Sequence, residues 1–253
     1  MTEHIVVRDE NATRTISMHR PDKKNALTQA MYLTMSAAID SAQADSAIRC
    51  LVITGTPGTF TAGNDLEDFL KAGTSADGTA RPSAAMTFLR SLANNTKPLV
   101  AAVDGFAVGI GTTMVFHCDY VIASTQAKFS TPFIHLGLVP EGASSLLVPR
   151  AMGHHRAFAM LVMGRTISAT DAREAGFVND VVAPDQLGAQ TKKVTQEICA
   201  LPAEAVAISR KLLKPAPEEV ITRIEKESAL FGERMRSAEA IGAFQSFLAR
   251  KRA

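Results

Sequence analysis

Two short turns constrain this chain more than any other feature. The first, Phe60-Thr61-Ala62-Gly63-Asn64-Asp65-Leu66, follows the apolar run Cys50-Leu51-Val52-Ile53-Thr54. The second, Asp104-Gly105-Phe106-Ala107-Val108-Gly109-Ile110-Gly111, follows Leu99-Val100-Ala101-Ala102-Val103 and opens a further apolar stretch. Each apolar run reads as a buried strand. Each turn is built from small residues, so little side chain shields its backbone N–H groups. Two N–H donors from two such turns can converge on one oxygen, which makes an oxyanion hole. Taken singly, either glycine could serve only the bend.

Strands are predicted over residues 5–7, 14–19, 49–54, 98–103, 119–123 and 178–182. Helical patterns lie between them. Thr28 can cap a helix with Met31, Met35, Ala38 and Ile39 on its apolar side. Pro82 opens another, with Met86, Leu89, Leu92 and Ala93 on one face, and residues 109–117 form a short helix apolar on every side. After Ala183 only helical patterns remain, over 186–200, 203–213, 217–235 and 238–251. That order predicts an α/β core over residues 1–183 and a helical region over 184–253. The pattern alone also allows an ordinary doubly wound sheet. Lys71 to Arg81 is polar, small and unpatterned, and reads as a surface loop.

Of 253 residues, 46% are hydrophobic, enough for one substantial core. A formal charge of +2 argues against a nucleic-acid-binding surface. Cys50, Cys118 and Cys199 are far apart in apolar surroundings and show no metal spacing, so packing explains them best. The N-terminal residues lack the pattern of a secretory signal, and no apolar stretch reaches the ~18 residues of a membrane span. A cytoplasmic location is expected, and the basic C-terminus reads as a solubilised helix end.

The turns sit in a series of segments that resembles the crotonase superfamily, the enoyl-CoA hydratase and isomerase family. The series runs from Arg20-Pro21-Asp22-Lys23-Lys24-Asn25-Ala26-Leu27 through both turns. It continues through Thr131-Pro132-Phe133-Ile134-His135-Leu136-Gly137, Gly164-Arg165-Thr166-Ile167-Ser168-Ala169 and residues 172–178 to the last helix. The resemblance implies a spiral of ββα units, a C-terminal helical region that builds a homotrimer or a dimer of trimers, and an acyl-CoA thioester as substrate. No separate cofactor is implied, because coenzyme A is part of that substrate. It also implies that the backbone N–H groups of Asn64 and Ile110 hold the thioester oxygen. The position of Ile110 in the first turn of its helix suits that role, since such N–H groups lack intrahelical partners.

Hydratases of this family hold a water with two glutamates. Their positions fall here on Thr113 and Phe133, neither of which can do carboxylate work, and both are left as acyl-pocket residues. A carboxylate follows in Gly137-Leu138-Val139-Pro140-Glu141-Gly142, which looks like the single base of the peroxisomal-type Δ3,Δ2-enoyl-CoA isomerases. Read without the family, Pro-Glu-Gly is ordinary turn chemistry. The apolar neighbourhood expected from Phe133 would raise the Glu141 pKa and make it a better base. Ring-opening isomerisation of an aromatic thioester, hydration, thioester hydrolysis and non-catalytic acyl-CoA binding remain open alternatives.

For coenzyme A the resemblance implies contacts from Lys23, Lys24, Ala26, Leu27, Ala62 and Asp65. Phe244 and Lys251 are implied to close the nucleotide site of a neighbouring subunit. The lysine pair reads equally as a solvated turn, and Phe244 as helix packing. His117 and His135 read as satisfied core or supporting histidines. The methionines between 152 and 163 read as core packing.

Overall fold

The computed structural model of the protein describes residues 2–65, 68 and 83–252, with side chains through residue 246. The loop expected from Lys71 to Arg81, the Pro82 helix start and the Lys251 side chain lie outside the described residues.

Among the described residues the chain builds two sheets and alternates between them. The larger sheet has the order β1 (Ile5–Glu10), β2 (Thr13–Met18), β3 (Cys50–Thr54), β5 (Leu99–Val103), β7 (Tyr120–Ser124), β10 (Asp180–Val182). β1 and β2 form an antiparallel hairpin, and every later pairing is parallel. The smaller sheet has the order β4 (Thr59–Thr61), β6 (Phe106–Val108), β8 (Lys128–Ser130), β9 (Ile167–Ser168). β4, β6 and β8 run parallel, and β9 is antiparallel to β8. Each long strand is therefore followed by a short one in the other sheet: β3 by β4, β5 by β6, β7 by β8. That is the expected spiral of ββα turns, and it excludes the doubly wound alternative.

Alternation of side chains explains why β3 and β5 read as unbroken apolar runs. Leu51, Ile53, Leu99, Ala101 and Val103 point into the main core. Cys50, Val52, Val100 and Ala102 point the other way, onto Leu187 and Val194 of a C-terminal helix. Both faces are covered, so no position alternates to polar.

The short strands went unread in the sequence. They contain two or three residues each, and their turn chemistry masks the strand signal. The helix predicted over 109–117 is two pieces. An α-turn at Ile110–Thr113 runs into a 3₁₀ turn at Met114–His117, and burial on nearly every side is as expected.

The helices are α1 (Gln29–Ala44), α2 (Ala84–Asn94), α3 (Ile110–Thr113), α4 (Ser144–Met152), α5 (His154–Leu161), α6 (Ala169–Glu174), α7 (Leu187–Ala200), α8 (Ala203–Leu213), α9 (Pro217–Met235) and α10 (Ala238–Arg252). Thr28 caps α1 as predicted, its side chain accepting the Met31 N–H. Ser83 caps α2. Met152 and Met160 are core residues, whereas Met163 is exposed. After β10 only helices follow among the described residues, and ion pairs fasten α8 and its end to Asp119, just before β7. Arg210 Nε meets Asp119 Oδ2 at 2.7 Å and Lys214 Nζ meets Asp119 Oδ1 at 3.1 Å.

Candidate active site

Strand pairing brings the two turns together. β4 lies beside β6, with Thr59 opposite Phe106 and Thr61 opposite Ala107, so the turn after each strand emerges at the same sheet end. Gly63 has φ +88°, and a Cβ there would stand 2.8 Å from the Val108 carbonyl oxygen. Gly109 has φ +58° and precedes α3 directly. Only glycine suits both the dihedral and the approach at position 63. Among the described residues, the N–H groups of Asn64 and Ile110 donate to no backbone carbonyl, while those of Ala62, Asp65 and Gly109 do and Gly63 N–H meets Thr61 Oγ1. Gly109 N–H bonds Ser130 O at 2.8 Å, and the N–H groups of Thr112 and Thr113 bond back to Gly109 O.

The Arg20–Leu27 segment is bound to the first turn. Leu27 N–H donates to Gly63 O, and Leu27 O accepts from Asp65 N–H. Leu27 is a core side chain with both backbone groups occupied, so it aligns the turn. Ala62 N–H donates to Lys24 O at 2.9 Å, while Lys23 and Lys24 are exposed. The Asp65 carboxylate is held by Arg20 at 2.7 Å. Asn25, quoted in the motif but assigned no role, is the hub. It is fully buried at φ +54°, and its amide donates to Thr56 Oγ1, Thr59 O and Phe60 O while its oxygen accepts from Arg20 N–H.

Glu141 sits on the turn before α4. Its Oε1 accepts the Thr113 hydroxyl at 2.6 Å. Thr113 is the last residue of the α-turn that Ile110 opens, which places the carboxylate one helical turn from the second N–H. Thr113, expected to line the acyl pocket, is fully buried and spends its hydroxyl on Glu141. Burial pushes the Glu141 pKa up to about 7, against the pull of the Thr113 hydroxyl and with help from the negative charge of Glu227.

Phe133 is buried edge-on to Phe231, with ring centroids 6.1 Å apart, and its ring faces the Gly109 turn. Phe244 packs into the same cluster within its own chain, as the helix-packing alternative had it.

Tyr32 of α1 is the residue that motif reading missed altogether. Fully buried against Phe88, it donates its hydroxyl to Asn64 Oδ1 at 2.6 Å. Burial, with the charges of Glu141 and Asp68 nearby, raises its pKa well above the usual tyrosine value, so it stays a neutral donor. Its sequence signal was only that of a core helix position.

His117 is the satisfied core histidine expected. Its Nε2 lies 2.8 Å from Gly142 O, and burial lowers its pKa to about 4. His135 is exposed, which corrects the same expectation for it, because the 3₁₀ turn at Pro132–Leu136 directs it outward.

A family model described as enoyl-CoA hydratase/isomerase matches residues 8–253. The chain belongs to the enoyl-CoA hydratase/isomerase family. It is similar to enoyl-CoA delta isomerase 2 of Rattus norvegicus, 34% identical over 250 residues covering 98% of this chain and 64% of that protein. It thus spans less than two thirds of that relative's length. It is also similar to crotonyl-CoA hydratase of Syntrophomonas wolfei subsp. wolfei, 28% identical over 253 residues covering 99% of this chain and 97% of that one. Among solved structures, OdaA of Pseudomonas aeruginosa has a TM-score of 0.91 at 39% identity, covering 97% of this chain and 99% of that chain. Among the described residues no helix is long and apolar enough to cross a membrane.

Proposed function

We propose that this protein is a Δ3,Δ2-enoyl-CoA isomerase in which Glu141 alone moves the proton. One observation carries the reading: the half-buried Glu141 carboxylate, its pKa raised to about 7 by desolvation, is bonded to the helical turn that begins at Ile110. The ionised Glu141 takes a proton from C2 of a 3-enoyl thioester. The C–H electron pair becomes a C1–C2 double bond, and the negative charge passes to the thioester oxygen. The N–H groups of Asn64 and Ile110 hold that oxygen as charge develops. Glu141 then returns the proton to C4, where the C3–C4 π pair takes it; the oxygen's charge re-forms the carbonyl and the C1–C2 pair shifts to C2–C3. A base with pKa near the working pH suits both halves of this cycle.

Hydration requires a second group to hold and activate water, and Thr113 and Phe133 stand where carboxylates would be needed. The test is a comparison on purified protein. Conversion of a 3-enoyl-CoA to the conjugated product should far outpace loss of crotonyl-CoA absorbance. Comparable turnover of the two would overturn the isomerase reading.

The coenzyme A arm would run over the segment from Lys23 to Leu27, Ala62 and Asp65, with Lys23 and Lys24 free to meet phosphates. The chain would assemble as a trimer or a dimer of trimers. Leu212 and Leu213 on the C-terminal helices are 81% and 86% exposed, with Ile208 and Leu230 also open. Light scattering at micromolar concentration should give a trimer or hexamer mass, and a monomer would refute the assembly.

A further inference from the structure

A second carboxylate lies behind Glu141, and the isomerase reading does not use it. Glu227 on α9 is buried, 5% exposed. Its Oε2 accepts the Ala143 N–H at 2.6 Å. Its Oε1 accepts the Ser145 N–H at 2.9 Å and the Ser145 hydroxyl at 2.5 Å. Arg223, one helical turn earlier, donates to the same Ser145 hydroxyl at 3.1 Å. A buried carboxylate is expensive to keep where an apolar residue would pack. Here every bond it makes goes to residues two and four places after Glu141.

Those residues need holding. Ala143 has φ +60°, left-handed backbone that is strained in a residue with a Cβ. The turn is pinned at two further points. The Gly142 carbonyl can only accept, so His117 must carry its proton on Nε2 and donate. Thr113 holds the carboxylate itself. Lys214 of the C-terminal region in turn bonds the His117 carbonyl.

We propose that Glu227 is the positioning residue of this site, holding the Glu141 turn from the C-terminal helical region and making α9 part of the catalytic apparatus. The inference rests on the reading of Glu141 as the base. Glu227 also sets the field in which that base works. Among the described residues, the titratable groups coupled to Glu141 are Glu227 from α9 and Tyr32 from α1, and the His117 ring of the 3₁₀ turn meets the carbonyl of the next residue, Gly142. Arg223 and Asp68 stand one residue further out. Burial raises the Glu227 pKa, against the pull of the Ser145 hydroxyl, the two N–H donors and the Arg223 guanidinium.

The test is a double-variant cycle on the full chain with a 3-enoyl-CoA. Glu227→Gln should lower kcat by about 10- to 100-fold, as expected for a small misplacement of a reacting group, with KM little changed. With one negative charge removed, the rise of kcat/KM with pH should move to lower pH. In the Glu141→Gln background, Glu227→Gln should leave the residual turnover unchanged. Equal proportional losses in both backgrounds, or an unchanged kcat and pH profile, would overturn the proposal. The single Glu141→Gln variant separately judges the base: if it keeps full turnover, that reading fails whatever Glu227 does. Should Glu227→Gln not fold, Ser145→Ala decides, since it removes one bond and leaves the carboxylate two. It should lower kcat about two- to tenfold with the same dependence on Glu141, and no effect would overturn the proposal.

Discussion

The two halves of the site are made differently. Asn64 and Ile110 offer main-chain N–H groups from turns at the ends of paired strands, and the side chains of both residues face elsewhere. Glu141 offers a side chain from a turn that no strand supports. The donor half depends on backbone geometry, so its sequence requirement is glycine and smallness. The base half depends on one functional group and on distant residues that hold it. Errors should therefore show differently: a lost base removes chemistry and spares binding, whereas a lost donor geometry damages both the transition state and the fold.

The largest effect should come from the base half. Glu141→Gln keeps shape and removes the base, and general base catalysis contributes ~10²–10⁴ in rate. Turnover should fall by that factor while affinity for a saturated acyl-CoA holds, since in the proposed site its oxygen would meet backbone groups. Deuterium from solvent should enter C2 of substrate with the wild-type protein and not with the variant. Retention of more than about a tenth of turnover, well above that range, would move the base elsewhere.

On the donor half, Gly63→Ala sets a Cβ 2.8 Å from the Val108 carbonyl oxygen at φ +88°. The turn must shift, and Asn64 N–H with it. Loss of one oxyanion donor costs about 10²–10³ in kcat, and here a lower Tm should accompany it. If Gly63→Ala reduced kcat with no loss of stability, the contrast drawn between the halves would fail.

The pH profile isolates the base half again. The proposed base would work when ionised, and the Glu141 pKa is raised to about 7, so kcat/KM should rise with pH through about 7 and level above it. At pH ~5.5 the ionised fraction of such a group leaves about a thirtieth of the plateau. Stability runs the other way. The folded chain keeps a proton that the unfolded chain releases near 4.5, so this residue's contribution is full below that pH and is lost as pH rises through about 7. Glu141→Gln should therefore gain stability relative to wild type between those values. A profile already flat at pH ~5 would contradict the burial of the carboxylate.

How far each half could be read beforehand follows from the same contrast. The strands leading to the donor turns announce themselves as apolar runs, and the turns as Gly63 and Gly109. The pairing that joins them was invisible, because β4 and β6 are three residues each and look like turn. On the base half, Pro140-Glu141-Gly142 is a local signal. Its support is not: Glu227 lies 82 and 84 residues from its partners Ser145 and Ala143, on a helix that the sequence marks only by its helical pattern. Tyr32 is silent for the same reason, since a helix position facing the core says nothing of what its hydroxyl meets 32 residues away.

Tyr32 gives the smallest and most discriminating effect. Its hydroxyl holds Asn64 Oδ1 at 2.6 Å, and its ring is buried beside Phe88. Tyr32→Phe keeps the ring and deletes that bond, leaving the Asn64 amide oxygen unsatisfied. A hydrogen bond of this kind is worth about 0.5–1.5 kcal/mol, so kcat should fall about two- to tenfold. The neighbouring charge of Glu141 raises the alternative that Tyr32 serves the base, passing or steadying its proton. The two roles separate in the Glu141→Gln background. If Tyr32 acts through Asn64 on the donor half, its loss should reduce the residual turnover by the same factor, because the N–H still meets the oxygen without the base. If the effect vanishes there, Tyr32 belongs to the base half, and the division between backbone and side-chain halves must be redrawn with Tyr32 as the link between them.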